Sequence, residues 1–442
     1  MIPIQTYMYR RRRLLAQMRR GVAVIPTAPE KLRNRDAHYP YRFDSDFYYL
    51  TGFREPDAVL VLIAAEDESA SRQILFCRDK DTEREIWDGF RHGPQAAQEM
   101  FGFDAAHAIS TLDALAVEFL ADQPAVFHAL GRDPAWDQRI VGWINQVRGQ
   151  VRKGVAAPTE IRDVRALVDE MRLIKDDYEL AVMREAARIS SQAHRRAMRA
   201  TCPGKHEYEI EAELLHEFRR QGAQAPAYTP IVAGGANACV LHYVDNHALL
   251  QAGDLLLIDA GCECDGYAAD ITRTFPVNGR FSGPQKAVYE LVLAAQAAAI
   301  DAVQPGNSWD APHQAALRVL IQGFIDLGLC QGSLDAVMES EAYKQFYMHR
   351  TGHWLGLDVH DAGEYKQAGQ WRDLVPGMTL TVEPGCYIRP AEGVPAHFWD
   401  IGVRIEDDVA VTSTGHEVLT QAAPKSIAEI EEWMQCTTIT EK

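Results

Sequence analysis

LLLIDAGCECDGYAADITRT, residues 255–274, reads as an apolar strand, a polar turn at Asp265-Gly266 and a second strand. That is the pattern of a β-hairpin. Asp259 and Asp270 fall on the turn-proximal parts of the two strands. Side chains opposed across a hairpin come within about 5 Å. Two carboxylates that close repel each other, and burying them without a partner costs several kcal/mol. A bound cation answers both problems, so the hairpin is read as part of a metal site.

Three later segments extend that reading. MHRTGHWLGLDVHD, residues 348–361, carries His349, His353 and His360. TLTVEPG, residues 379–385, ends a strand on Glu383, and IGVRIEDD, residues 401–408, places Arg404 and Glu406 on one face of a strand. Taken singly, each has a plain structural reading: an Asp capping a turn, a Glu-Pro-Gly turn, a hydrogen-bonded core histidine. Taken together, two Asp, one His and two Glu crowd a single ion. Two metals sharing bridging carboxylates accommodate them better.

At 442 residues the chain is long for one core, and two domains are expected. Residues 1–172 alternate between strand-like runs (58–63 and 73–77) and a helix-like stretch (113–121), which suggests an α/β domain. Asp176 followed by Glu179 is a capping-box signature, and Val182, Ala186, Ile189, Ala193 and Ala197 follow at helical spacing. From there an order recurs. One helix ends at Cys202-Pro203-Gly204, a second spans 208–220, then come Gly222 and strands. A helix over 285–303 ends at Gln304-Pro305-Gly306, another spans 311–327 before Gly328, and strands follow again. Two related halves facing each other are implied, with a cleft between them.

Composition narrows the partners. Hydrophobic residues make up 47% and charged residues 24%, with a formal net charge of −17. Such an acidic chain is not expected to bind nucleic acid. No apolar run reaches 18 residues, so no membrane span is expected. The N-terminal arginine run, Arg10 to Arg13, has no apolar stretch behind it and is read as a solvated helix face rather than a secretory signal. The eight cysteines are scattered, and the spacing of Cys262 and Cys264 is not that of a zinc site. Free thiols in a reducing cytoplasm are expected.

Asp259, Asp270, His353, Glu383 and Glu406, in that order, resemble the ligand set of the pita-bread metallopeptidases: methionine aminopeptidase, prolidase and aminopeptidase P. HWLGLDVHD (353–361), LTVEPG (380–385) and GVRIEDD (402–408) resemble the motifs of bacterial aminopeptidase P most. So do Tyr39-Pro40-Tyr41-Arg42 and SDFYYLTGF (45–53), so the resemblance covers nearly the whole chain. Methionine aminopeptidases usually lack such an N-terminal domain.

The resemblance implies an α/β N-terminal domain of the creatinase/prolidase type over 1–172, serving oligomerisation and substrate gating. It implies an α+β pita-bread domain with a pseudo-twofold repeat over 173–442. The implied activity is hydrolysis of the N-terminal Xaa-Pro bond of peptides by a metal-bridging hydroxide. Asp259 would bind one metal, His353 and Glu383 the other, and Asp270 and Glu406 both. Glu383 would also shuttle the proton to the departing proline nitrogen, and His242 and His360 would hold the substrate carbonyl and the developing oxyanion. His349 and Arg404 would shape the proline pocket. Tyr387, Tyr228 and Trp87 would line the cleft, Trp87 from a neighbouring subunit. The two divalent ions are expected to be manganese, with zinc or cobalt as alternatives, because four carboxylates to one imidazole is a hard donor set. Peptides with proline second are the expected partners, and a homodimer or homotetramer the expected assembly.

Three alternatives stay open. Prolidase, limited to Xaa-Pro dipeptides, shares all five ligands. A partner-binding relative without catalysis, or a metal-free amidinohydrolase like creatinase, would lack the carboxylate set. One departure stands out: where the family has His-Gly-Leu-Ser/Gly-His, this chain has His349-Arg350-Thr351-Gly352-His353, which puts a bulky cation near the cleft.

Overall fold

The computed structural model describes residues 2–435, so Cys436 lies outside the described residues. The chain forms two compact units, residues 2–172 and residues 173 onward.

The N-terminal unit is built on a six-stranded mixed sheet of order β4-β3-β2-β1-β5-β6. Its strands are β1 (Gly21–Pro26), β2 (Val59–Ala64), β3 (Arg72–Cys77), β4 (Ala105–Ala108), β5 (Ala125–His128) and β6 (Glu160–Asp163). The β1–β2 and β2–β3 pairs are antiparallel, and the β3–β4, β1–β5 and β5–β6 pairs are parallel. Its α-helices are α1 (Ile4–Met18), α2 (Ser45–Thr51), α3 (Thr82–Asp88), α4 (Gly93–Phe101), α5 (Leu112–Leu120), α6 (Pro134–Arg148) and α7 (Arg165–Leu173).

The arginine run departs from expectation. Arg12 and Arg13 are exposed, but Arg10 and Arg11 are buried, on the face of α1 that also buries Tyr7, Leu14, Leu15 and Met18. The reason is capping. Arg11 donates to the carbonyls of Leu50 (2.9 Å), Phe101 (2.9 Å) and Gly102 (2.8 Å), and Arg10 to that of Tyr49 (3.2 Å). These carbonyls lie at the C-terminal ends of α2 and α4, where backbone oxygens lack helical partners and attract cations.

The second unit repeats a helix pair followed by strands. First come α8 (Asp177–Ala200) and α9 (Glu207–Arg220), then β7 (Ala225–Pro226), β8 (Ile231–Gly234), β9 (Leu255–Asp259), β10 (Cys262–Cys264), β11 (Tyr267–Ala268) and β12 (Thr272–Pro276). The order recurs with α10 (Gly283–Asp301) and α11 (Ala311–Asp326). A short α12 (Leu334–Glu339) follows, then β13 (Lys366–Gln367), β14 (Gln370–Trp371), β15 (Thr379–Val382), β16 (Gly385–Ile388), β17 (Ile401–Arg404), β18 (Asp407–Val411) and β19 (His416–Val418), and finally α13 (Ile427–Gln435). The capping box at Asp176 and Glu179 is formed and opens α8. Helix α10 starts two residues before its apolar pattern, because Ser282 caps it and Pro284 tolerates the first turn. One apolar core joins the two helix pairs to the strands, with Ala186, Ile189 and Phe218 from the first half and Val288, Leu320 and Phe324 from the second.

The hairpin of residues 255–274 forms in a single register: Asp259 faces Thr272, and Glu263 faces Ala268. Asp265 (φ 48°) and Gly266 (φ 83°) both take positive φ at its tip, as a type I′ turn requires. In that register Asp259 and Asp270 are diagonal rather than directly opposed. They share a face, because Asp270 lies two residues from Thr272. Gly261 is obligatory beside them, since a Cβ there would lie 1.7 Å from the Ala269 carbonyl oxygen.

Candidate metal centre

A cavity of about 630 Å³ in the second unit gathers side chains from five segments. Asp259 comes from the end of β9, and Asp270 from the return strand of the hairpin. His353 follows the loop after α12, Glu383 ends β15, and Glu406 lies between β17 and β18. All five line the cavity, with His242, His349, Arg350, His360, Arg404 and Tyr228.

Ligand atoms of Asp270, His353 and Glu406 lie within 4.8 Å of one another. His353 Nε2 is 3.5 Å from Asp270 Oδ2 and 3.7 Å from Glu383 Oε1. The Tyr228 hydroxyl lies 2.6 Å from Asp259 Oδ1 and 2.5 Å from Asp270 Oδ1, within hydrogen-bond reach of both carboxylates. His353 Nδ1 donates to the Trp354 carbonyl (2.9 Å), which fixes the tautomer and turns Nε2 toward the acids. Thr272 Oγ1 donates to Glu406 Oε2 (2.6 Å).

Charge in the cavity is out of balance without a cation. Burial raises Glu383 to about 7, even against the pull of His353 and Arg404, and burial with repulsion from Asp270 raises Glu406 well above the usual carboxylate range. Burial likewise raises Asp259. Burial would also raise Asp270, but the hydrogen bond and charge of His353 outweigh it and hold it low. His353 answers in kind: burial disfavours its charge, yet Asp270 and Glu383 lift it to about 9. Four carboxylates against one imidazolium and the Arg404 guanidinium is an arrangement a divalent ion relieves, and the donor set fits two such ions.

The surrounding histidines and Arg404 are placed as follows. His360 packs edge-on to His353 with ring centroids 4.2 Å apart. His349 Nδ1 donates to the Arg350 carbonyl (2.8 Å), and its Nε2 accepts from the Tyr387 hydroxyl (2.9 Å). Burial and the nearby Arg404 drop His349 to about 3, so its ring is neutral. Arg404 donates to Asp259 Oδ2 (2.7 Å), Tyr387 (3.1 Å) and Thr272 Oγ1 (3.1 Å). Tyr387 is therefore buried behind the wall, reaching the cavity through His349 and Arg404. Trp87 belongs to the N-terminal unit, on α3, where it is 82% exposed. Sequence reading missed Asp408, whose carboxylate accepts from the backbone N–H of Asp270 at 3.2 Å. The acidic run Glu406-Asp407-Asp408 was the available signal.

Residues 181–413 match metallopeptidase family M24, and residues 7–127 match the aminopeptidase P N-terminal domain. The chain belongs to metallopeptidase family M24. A Haemophilus influenzae Xaa-Pro aminopeptidase is 44% identical over 434 residues, covering 98% of each chain. The structure of Pseudomonas aeruginosa aminopeptidase PepP superposes with a TM-score of 0.97 at 50% identity, covering 99% of both chains. A zinc-substituted Escherichia coli aminopeptidase P in complex with product superposes with a TM-score of 0.96 at 44% identity, again covering 99% of both. The family fold is thus an aminopeptidase P N-terminal domain followed by a pita-bread catalytic domain, and it runs the length of the chain.

Proposed function

We propose that this chain cleaves the N-terminal residue from peptides whose second residue is proline, using the five-ligand centre. It is a metal-dependent Xaa-Pro aminopeptidase by full-length likeness to such enzymes. The observation that carries the site is the convergence of Asp259, Asp270, His353, Glu383 and Glu406 on one cavity. Asp259, His353 and Glu383 would each hold one of two ions, Asp259 apart from the other two, and Asp270 and Glu406 would be shared between them. Manganese is the proposed metal, on the hardness of four carboxylates, with zinc or cobalt as substitutes.

Bound divalent ions supply Lewis acidity, which makes a water nucleophilic near neutral pH. The chain's own groups do the rest. Glu383, on the cavity wall, takes a proton from the attacking water and returns it to the proline nitrogen. That nitrogen belongs to a tertiary amide and must be protonated to leave. His242 and His360 face the cavity and donate to the substrate carbonyl as charge builds on it. Neutral His349 and the aliphatic stem of Arg404 offer the proline ring a wall. Tyr228 holds the two Asp carboxylates close.

Assembly as a dimer or tetramer is proposed through the N-terminal unit, where Ile86 (80%), Trp87 (82%) and Phe90 (66%) stand exposed within five residues. Trp87 is the residue proposed to reach a neighbouring subunit's cleft. A cytoplasmic site is proposed from the cysteines, seven of which are free among the described residues.

The test is release of Xaa from Xaa-Pro-Yaa-Zaa and from Xaa-Pro by manganese-loaded protein. Cleavage of the longer peptide is expected, and activity confined to the dipeptide overturns the reading in favour of prolidase.

A further inference from the structure

Arg350 is the residue the metal centre leaves unexplained. Of the described residues lining the cavity, Arg350 and Arg404 are the guanidinium groups. Arg404 is 4% exposed and commits its donors to Asp259, Thr272 and Tyr387. Arg350 differs. Its side chain lines the same cavity and is 46% exposed. It is nonetheless held: it pairs with Asp310, which precedes helix α11, and its guanidinium carbon lies 4.7 Å from the ring centroid of Trp371. A guanidinium has five donors in a planar fork, and one carboxylate partner leaves an edge for a second.

Position sets Arg350 beside His349 in the lining of one cavity. A peptide lies across the site with its cationic amine at one end and its carboxylate at the other. Arg350 follows His349, the proposed wall of the proline pocket, by one residue, or about 3.8 Å of chain. The next substrate residue beyond proline lies one similar step away. We propose that Arg350 binds the C-terminal carboxylate of short substrates, making the enzyme favour the free acid of Xaa-Pro-Yaa over its C-terminal amide. Stacking and ion pairing fix the guanidinium before substrate arrives, so little ordering is needed on binding. Asp310 tempers the effect by sharing the charge. The proposal rests on the aminopeptidase reading above.

The experiment compares kcat/KM for Xaa-Pro-Yaa and Xaa-Pro-Yaa-NH2 on the manganese-loaded full chain. Wild type is expected to favour the acid by about tenfold, chiefly in KM. Arg350→Ala is expected to lose that preference by weakening the acid about tenfold while the amide stays within twofold. Asp310→Asn, which frees the guanidinium from its counter-charge, is expected to raise the preference. A wild-type preference under twofold overturns the proposal. So does an equal loss on both substrates in Arg350→Ala, which would make the residue a brace for the His349–His353 loop, or an unchanged or lowered preference in Asp310→Asn. Failure of the underlying reading looks different: wild type releases no Xaa from either substrate.

Discussion

Replacing Asp407 by Asn tests the network that anchors the strand behind the metal centre. Asp407 accepts from Arg273 (2.7 Å), Thr420 (2.7 Å), Lys425 (2.7 Å) and Gln296 (2.9 Å). Neither the Asp407 nor the Arg273 side chain has any exposure. Asn keeps the shape, so no cavity opens. What disappears is the negative charge around which two cations are folded. Removing one partner of a buried ion pair costs about 3–5 kcal/mol. For a domain of this size each kcal/mol moves Tm by roughly 2–4 °C, so a fall of roughly 6–20 °C is expected. Calorimetry on metal-free protein is the assay, because bound metal adds its own stabilisation. Glu417→Gln is the control: its pair with Arg184 is 46% and 38% exposed, and such surface pairs contribute about 0–1 kcal/mol. Equal shifts for the two variants would refute the reasoning. The sign in pH follows from the same contacts. Burial pushes Asp407 up, but Arg273 and Lys425 outweigh it and hold it far below the ordinary carboxylate range. Its contribution is therefore present above the unfolded pKa of about 4 and lost as pH falls toward the depressed folded value.

Glu383→Ala is expected to abolish turnover, read as no Xaa release over a long incubation with manganese, because it removes both a proposed ligand and the proposed proton carrier. His242→Ala is expected to lower kcat/KM by tenfold or more, about 1.4 kcal/mol per decade, with metal content by elemental analysis unchanged; full activity would make His242 structural. His194 supplies a pH test away from the substrate. It is fully buried with Nε2 against the Ala260 carbonyl (2.9 Å), and burial drops its pKa from 6.5 to about 4. The unfolded chain takes up that proton below about 6.5 while the folded one does not, so stability declines from there down to about 4, by roughly 3 kcal/mol. Urea midpoints of His194→Gln should decline less than wild type over that window, and parallel slopes would rule the histidine out.

How much of this was legible depends on how local the determining contacts are. Asp259 and Asp270 could be placed because an apolar run, an Asp-Gly turn and a second run fix a hairpin register, and the register fixes the faces. The diagonal offset follows from the same turn, since a two-residue tip at Asp265-Gly266 pairs Asp259 with Thr272 rather than with Asp270. The start of α10 was missed by two residues because Ser282-Gly283-Pro284 caps a helix without being apolar. Arg10 and Arg11 were misjudged for a stronger reason. Their partners are carbonyls 39 to 91 residues away, and nothing in an arginine run states whether free helix ends will meet it. For Asp408 the acidic run showed only that a carboxylate was there; its partner is a backbone N–H 138 residues distant.

The metal ligands and the substrate wall are also less separable than a residue inventory suggests. His349 meets Tyr387, Tyr387 meets Arg404, and Arg404 meets Asp259. The group proposed to shape the proline pocket is thus hydrogen-bonded directly to a proposed metal ligand. Arg404 also shares Thr272 Oγ1 with Glu406, which ties the wall to a second ligand. Lost activity on replacing Arg404 therefore does not by itself establish a contact with proline. Freeing Asp259 from its guanidinium partner would leave a buried carboxylate to its repulsion from Asp270, and the metal would be the first thing disturbed. Only the combination of retained metal and raised KM would separate a substrate wall from a ligand brace at Arg404.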